Sequence, residues 1–402
     1  MRKKSPLSVV RCPWPGWRRA SILSRSLIAL CFLFCGMCFL SHSFSTTDNG
    51  LRTTDSSREG WREARPGYNF SFPRDHGAHE PYRVEWWYYT GNLTAKDGRR
   101  FGYQLTFFRT GVVVKPENPS RWAVRDLYMA HFAVSDIDGE SFHWFERLSR
   151  AGINWAGADT AVYRVWNNDW EVKLEGQDHV LEARDADFEL ELRLSLAKPE
   201  VVHGQNGVSQ KGPSAGNATH YYSITRFNSA GRLVAGGEPF EVTGSSWMDH
   251  EFGTRILEPG QMGWDWFSIQ LDDGRELMIF QIRRADGSID PRSSGTLIDA
   301  DGRAIHIPFG ELSLTAGERW SSPVSGATYP VTWRVDVPAH GLSLSVTAAF
   351  PDQELRATES TGVTYWEGSF EVRGRAGESE ARGRGYLEMT GYTGQSMGAI
   401  FQ

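Results

Sequence analysis

Cysteine is absent from the chain beyond residue 38. All four cysteines (Cys12, Cys31, Cys35 and Cys38) fall within the first forty of its 402 residues. The remainder has no disulfide, no thiolate metal site and no cysteine nucleophile to offer. Acidic residues are missing from those first forty, whereas Arg2, Lys3, Lys4, Arg11, Arg18, Arg19 and Arg25 are basic. An apolar run of 14 residues, Leu27 to Leu40, follows them. That run falls short of the roughly 20 residues that span a bilayer comfortably, and it has the build of an export signal. Small residues up to Ser45 suit cleavage there. Retention as a short anchor and lipidation at Cys38 remain open. Residues 1–45 are therefore expected to be a signal peptide or membrane anchor, and the polar stretch 46–66 a linker.

Positive charge is also short beyond the leader. Setting its seven basic residues aside leaves 36 basic against 49 acidic residues, about −13. A chain so acidic is not expected to bind nucleic acid, which requires neutralisation of phosphates. Helical periodicity is missing as well. No stretch sustains an apolar 3.6-residue repeat over three turns, although Leu148 to Ala158 suits a short helix.

In its place come short alternating runs of aromatic and β-branched residues. They are separated by Asp-Gly turns at 97–98, 138–139, 273–274, 286–287 and 301–302. Such punctuation is the signature of hairpins. Residues 86–101 (WWYYTGNLTAKDGRRF) are echoed by 264–277 (WDWFSIQLDDGREL). Trp86 corresponds to Trp264, Tyr88 to Trp266, and Asp97-Gly98-Arg99 to Asp273-Gly274-Arg275, which points to duplication. Closing two antiparallel sheets of this length into barrels removes their edges. The expected fold is all-β, with two lipocalin-like antiparallel β-barrel domains. They are expected over 67–255 and 256–402, with the boundary near 253–262. The main cavity is expected in the N-terminal half or at the cleft between the domains.

Several motifs together resemble the AttH-like secreted family, which is related to carotenoid 1,2-hydratases. They are EWWYYTG (85–91), FGYQLTFFR (101–109), AHFAVSD (130–136), WMDHEFG (247–253), GWDWFSIQLDDG (263–274), YWEG (365–368) and GYLEMTGY (385–392). The resemblance covers roughly 70–398 and implies two lipocalin-like domains. It also implies an apolar or amphipathic small-molecule ligand. Trp86, Trp87, Tyr88, Tyr103, His131, Trp264 and Trp266 are expected to wall its site. The best understood relatives add water across a terminal C=C bond of an acyclic carotene.

Hydrating an unactivated alkene requires a proton donor, and a carboxyl stays protonated near neutral pH only when burial raises its pKa. Aromatic faces stabilise the cation so formed. The family's acid is an Asp two residues after an aromatic, with a His-x-Trp pair upstream. Asp249 in Trp247-Met248-Asp249 fits the acid. His220 and Tyr222 fit the pair, with Tyr where Trp is expected. The resemblance thus assigns Asp249 as donor, Trp247 and Tyr222 as cation-facing aromatics and His220 as an orienting group. His250 and Glu251 are expected on the opposite face. Glu85, Asp265, Glu367 and Glu388 are expected to pair structurally with arginines, Glu85 with Arg109 foremost.

No metal or cofactor is expected. His76 and His79 lie in a Pro/Gly-flanked loop rather than on one helix face. The G-x-S-x-G pattern at 394–398 has no room for downstream triad partners, so a hydrolase has no support. Two functions remain open. One is a hydratase-type lyase. The other is a non-catalytic carrier of hydrophobic ligands that serves an envelope ABC transporter. In either case the protein is expected to be exported, periplasmic or facing the periplasm from an anchor. Its membrane contact is expected only through the N-terminal segment.

Overall fold

The computed structural model describes residues 60–120, 122–205 and 207–397. Residues 1–45, expected to be a signal peptide or anchor, and residues 46–59 of the expected linker lie outside them. Gly60 to Pro66 does not behave as a linker. Trp61 and Ala64 are buried, and the Trp61 ring sits where any side chain at Gly111 would collide with it. Burying an indole outweighs the polarity of its neighbours.

Among the described residues the first sheet has 13 strands. They are β1 (Val84–Ala95), β2 (Arg100–Gly111), β3 (Asp126–Asp136), β4 (Ser141–Arg150), β5 (Ala156–Ala158), β6 (Arg164–Asn167), β7 (Trp170–Glu175), β8 (Asp178–Asp185), β9 (Phe188–Leu196), β10 (Val201–Val202), β11 (Ser209–Gln210), β12 (Ala218–Ala235) and β13 (Glu238–Gly253). The order β4-β3-β2-β1-β13-β12-β9-β8-β7-β6-β5 bends round until its ends nearly meet. Ala151 bridges Ala156 there, and Arg147 bonds Asn167 O at 3.1 Å and Arg184 O at 3.0 Å across the seam. The short helix expected over 148–158 is absent. Its residues finish β4, turn and start β5, because the closing seam needs extended backbone.

The second sheet contains β14 (Gln261–Leu271), β15 (Glu276–Arg284), β16 (Ser294–Ile298), β17 (Ala304–Pro308), β18 (Ser313–Ala316), β21 (Thr332–Val337), β22 (Leu342–Ala348), β23 (Glu354–Ala357), β24 (Val363–Ala376) and β25 (Ser379–Met389). Between these in the chain, β19 (Arg319–Ser321) and β20 (Thr328–Pro330) form a separate ribbon. The fold is all-β, a near-closed lipocalin-like barrel sheet with a second sheet beside it.

Burial separates outer strands from inner ones. β9 buries Phe188, Leu190, Leu192 and Leu194 between more exposed charges, the alternation of a strand with one wet face. β1, β2, β3, β14 and β15 are buried on nearly every residue, as are residues 218–227 of β12 and 246–253 of β13. One of their faces fills a sheet's own core and the other packs between the two sheets, which is why they read as unbroken aromatic runs. The packing there is close. Gly102 lies so near Ser369 of the second sheet that no side chain fits. The two echoed hairpins, β1–β2 and β14–β15, carry matching turns. Ala95 N bonds Arg99 O and Leu271 N bonds Arg275 O, each at 2.8 Å, with Gly98 and Gly274 at positive φ.

Candidate functional site

The inward outer faces of the two sheets enclose an apolar pocket, with about 60 Å³ open to the centre of a water-sized sphere. The first sheet contributes Trp86 and Tyr88 from β1, Phe108, His131, Asp249 and Glu251. The second contributes Trp264 and Trp266 from the echoed strand β14, with Phe280, Tyr365 and Glu388. Duplication explains the wall, since the same two positions of each hairpin supply an aromatic to one cavity. Lys211, Ile256 and Leu257 close it from two loops.

Asp249 is the most distinctive group of the pocket. It is 4% exposed and has no cation partner among the described residues. Tyr221 Oη donates to Oδ2 at 2.8 Å, Trp247 Nε1 donates to Oδ1 at 2.6 Å, and Ser223 Oγ also donates to Oδ1. Burial pushes its pKa up to about 7 against the opposing effect of these donors, with Glu251 adding repulsion. Its donors are themselves held. Trp266 Nε1 donates to Tyr221 Oη at 3.1 Å, and His203 Nε2 meets Ser223 Oγ at 2.7 Å. His203 is neutral at ordinary pH, since burial lowers its pKa to about 3.

Two further carboxyls lack the arginine expected for them. Glu388 takes one bond from Trp264 Nε1 at 3.0 Å, and burial lifts its pKa to about 7 with help from the charge of Asp249. Glu367, directly across the strand pair from Glu388, accepts from Tyr88 Oη at 2.7 Å while its other oxygen has no hydrogen-bond partner among the described residues. Burial, then Glu388, raises it well above the usual range. Glu251 differs, since Lys211 Nζ lies 3.2 Å away. The expected arginine pairs form elsewhere. Glu85 meets Arg109 Nε at 3.1 Å, and Asp265 meets Arg283 Nε at 3.1 Å.

The face assignments need correction. His220 and Tyr222 do not approach Asp249. They lie on the other face of β12, where Tyr222 Oη bonds His76 Nδ1 at 2.7 Å and His250 Nδ1 at 3.0 Å. His220 Nδ1 bonds Gly207 O at 3.0 Å. The cause is a bulge. An unbroken register from the turn at Gly236-Gly237 pairs Asp249 with Ile224, which puts 220, 222 and 249 on one face. The shift between Ile224 and Phe227 pairs Asp249 with Ser223 instead. Tyr221 and Ser223 therefore hold the acid, and the pocket receives neither residue of the family's His-x-Trp pair. Glu251 lies on the Asp249 face, not opposite it, because the two are i and i+2 on β13. Only His250 turns away.

The expected wall is also divided by alternation. Trp86, Tyr88, His131, Trp264 and Trp266 line the pocket. Trp87 and Tyr103 face the barrel core, where Trp87 stacks on His250 at 4.8 Å and Tyr103 Oη donates to Ser246 Oγ at 2.7 Å. Trp247 is not on the pocket wall. Its ring stands edge-on to Trp266 and its N–H fixes Asp249.

Sequence reasoning missed Tyr221, Ser223, His203 and Glu388 as site groups. Strand alternation flags the first two once the bulge is known. His203 carries no local signal.

On the core side, His79, Glu85 and His250 bring ligand atoms within 4.8 Å of one another. They do not fit a resident metal. Glu85 already accepts from His79 Nδ1 at 2.7 Å, His250 Nε2 at 2.9 Å and the Arg109 guanidinium, and it also takes the His79 backbone N–H. The guanidinium supplies the positive charge that a divalent ion would bring.

Two lipocalin-like sheets around an aromatic pocket, with the buried carboxyls of Asp249 and Glu388 in its wall, define the class of the protein. The chain belongs to the AttH-like family, whose model matches residues 63–392. It is 35% identical to an AttH from Nitrosomonas europaea, whose crystal structure superposes with a TM-score of 0.75 over 82% of this chain and 99% of that one. Kievitone hydratase from Nectria haematococca shares the fold at 14% identity, with a TM-score of 0.63 over 82% of this chain and 98% of its own. No curated protein matches the chain.

Proposed function

We propose that the protein adds water to, or isomerises, a C=C bond of an apolar small molecule bound in the inter-sheet pocket, with Asp249 as the proton donor. The observation that carries this reading is a fully buried carboxyl with three neutral donors, no cation and a pKa near 7. Asp249 transfers its proton to one alkene carbon, and the positive charge forms on the other. Trp86, Trp264 and Trp266 lie around it, each face worth ~0.5–2 kcal/mol to a cation. For hydration, a water oxygen bonds to the cationic carbon and releases a proton to a carboxylate. Glu388, which repels Asp249 electrostatically, is suited to take it. For isomerisation, the cation loses a proton from the adjacent carbon instead. In either route Glu388 takes the released proton and Asp249 is left as a carboxylate, and passage of that proton from Glu388 to Asp249 completes the cycle. A fold shared with a protein named as a hydratase is consistent with this.

The second reading is a carrier without turnover, working with an envelope ABC transporter on the exported side of the membrane. The small volume of the pocket favours it, since it suits capture more readily than rapid exchange. Incubation with an acyclic carotene bearing a terminal C=C bond, in deuterated water enriched in ¹⁸O, separates these readings. Hydration puts both deuterium and ¹⁸O in the product, and isomerisation puts in deuterium alone. Recovery of bound but unlabelled ligand supports the carrier.

A further inference from the structure

Of the exposed large apolar side chains among the described residues, Leu196, Val202, Phe309 and Val324 lie apart, and the others gather at one end of the barrel. Val112, Val113, Val114, Trp122, Leu148, Trp155 and Val162 are all exposed, Trp122 by 62% and Val162 by 63%. They occupy one rim of the barrel, where β2 ends, β3 begins and β4 passes to β5. The loop after β2 folds back so that Val112 N meets Arg125 O at 2.8 Å. Arg150 lies 5.8 Å from the Trp122 ring centre and bonds its carbonyl. Trp155 O accepts from Asn168 N at 2.6 Å. Singly exposed apolar residues need no explanation, but a contiguous set on one rim does.

Two observations say what covers this rim. Gly60, the first described residue, lies against Val114. The chain therefore enters the fold at the rim, with the apolar run Leu27–Leu40 upstream and only residues 41–59 between, a tether of at most about 70 Å. The rim also abuts the pocket. Leu148 shares a strand face with Glu146, whose carboxylate accepts Ser360 N at 2.7 Å beside the pocket residue Thr361.

We infer that this rim is a bilayer-docking surface, seated by Trp122 and the Val112–Val114 loop in the lipid interface. Tryptophan with arginine beside valine is the composition suited to that depth. An apolar run inserted in the same bilayer holds this rim towards the lipid, and an apolar ligand then passes between membrane and pocket without crossing water. The inference is independent of the chemistry at Asp249.

The test is amide hydrogen exchange on the full chain, with and without vesicles of phosphatidylcholine and phosphatidylglycerol. Exchange across 112–125 is expected to slow by about tenfold on vesicles, the ratio that burial of one or two such side chains gives. The exposed turn at Val324 is expected to be unchanged. The double variant Val113→Ser/Trp122→Ser is expected to sediment with vesicles through its N-terminal run but to lose the protection. Equal exchange in 112–125 with and without vesicles overturns the inference. So does protection that appears without lipid as protein concentration rises, which identifies a second copy as the occupant.

Discussion

Asp249→Asn is expected to bind an acyclic carotene as the parent protein does and to convert it about 10²–10⁴-fold more slowly, the usual contribution of a positioned acid. The substitution keeps the shape of the side chain and an oxygen for Tyr221, Ser223 or Trp247 to reach, so loss of the pocket is not the expected cause. Product formation and retained binding are measured on the same preparation. Turnover by the parent protein is expected to fall as pH rises through about 7, because the proton must be on Asp249 before the alkene reacts. A variant that converts substrate at the parental rate removes Asp249 from the mechanism. Binding without conversion by either protein leaves the carrier reading standing.

Arg109→Met is expected to cost about 3–5 kcal/mol of stability, the penalty for stranding a buried charge. Burial opposes the ionised form of Glu85, and Arg109, then His250 and His79, hold its pKa well below the usual carboxylate range. Arg109 also bonds Asp126 Oδ1 at 3.1 Å and Tyr82 O at 2.8 Å, so its removal unfastens β3 and the segment before β1 as well. The melting temperature is expected to drop by roughly 10 °C in a chain of this size. Adding Glu85→Gln is expected to recover part of the loss, because no charge then remains to be compensated. A single variant within about 1 kcal/mol of the parent shows that water or the histidines satisfy Glu85 without the arginine.

How far the sequence reads through to the site depends on the element. The hairpins at 97–98 and 273–274, the pairing of Glu85 with Arg109 and the duplicated aromatics at 86/264 and 88/266 follow from local pattern. The structure has each of them. Asp249 was singled out only through the family resemblance, whose acid lies two residues after an aromatic, and it lies on the pocket wall. The residues around it were not legible, because a single bulge between Ile224 and Phe227 exchanges the faces of β12. Spacing along a chain does not report an irregularity in the register. Glu388 and Glu367 were misread for a different reason. Acids beside aromatics in an arginine-rich chain suggest ion pairs, yet the arginines of the second sheet, such as Arg283, serve other acids. Residues 60–66 read as linker because Arg62, Glu63 and Arg65 surround Trp61, yet the buried indole outweighs their polarity.

The central claim is that burial lifts the pKa of Asp249 to about 7, and its own titration tests this most directly. With aspartate labelled at the side-chain carboxyl carbon with ¹³C, one resonance is identified by its loss in Asp249→Asn. It is followed from acid to mild base. Because the folded pKa lies above the unfolded one, this group costs stability progressively between about pH 4 and pH 7. The folded protein keeps its proton through that interval. The resonance assigned to Asp249 is predicted to titrate near pH 7. A midpoint near the ordinary value of about 4 would mean an ionised aspartate in the pocket at neutral pH and would contradict the account.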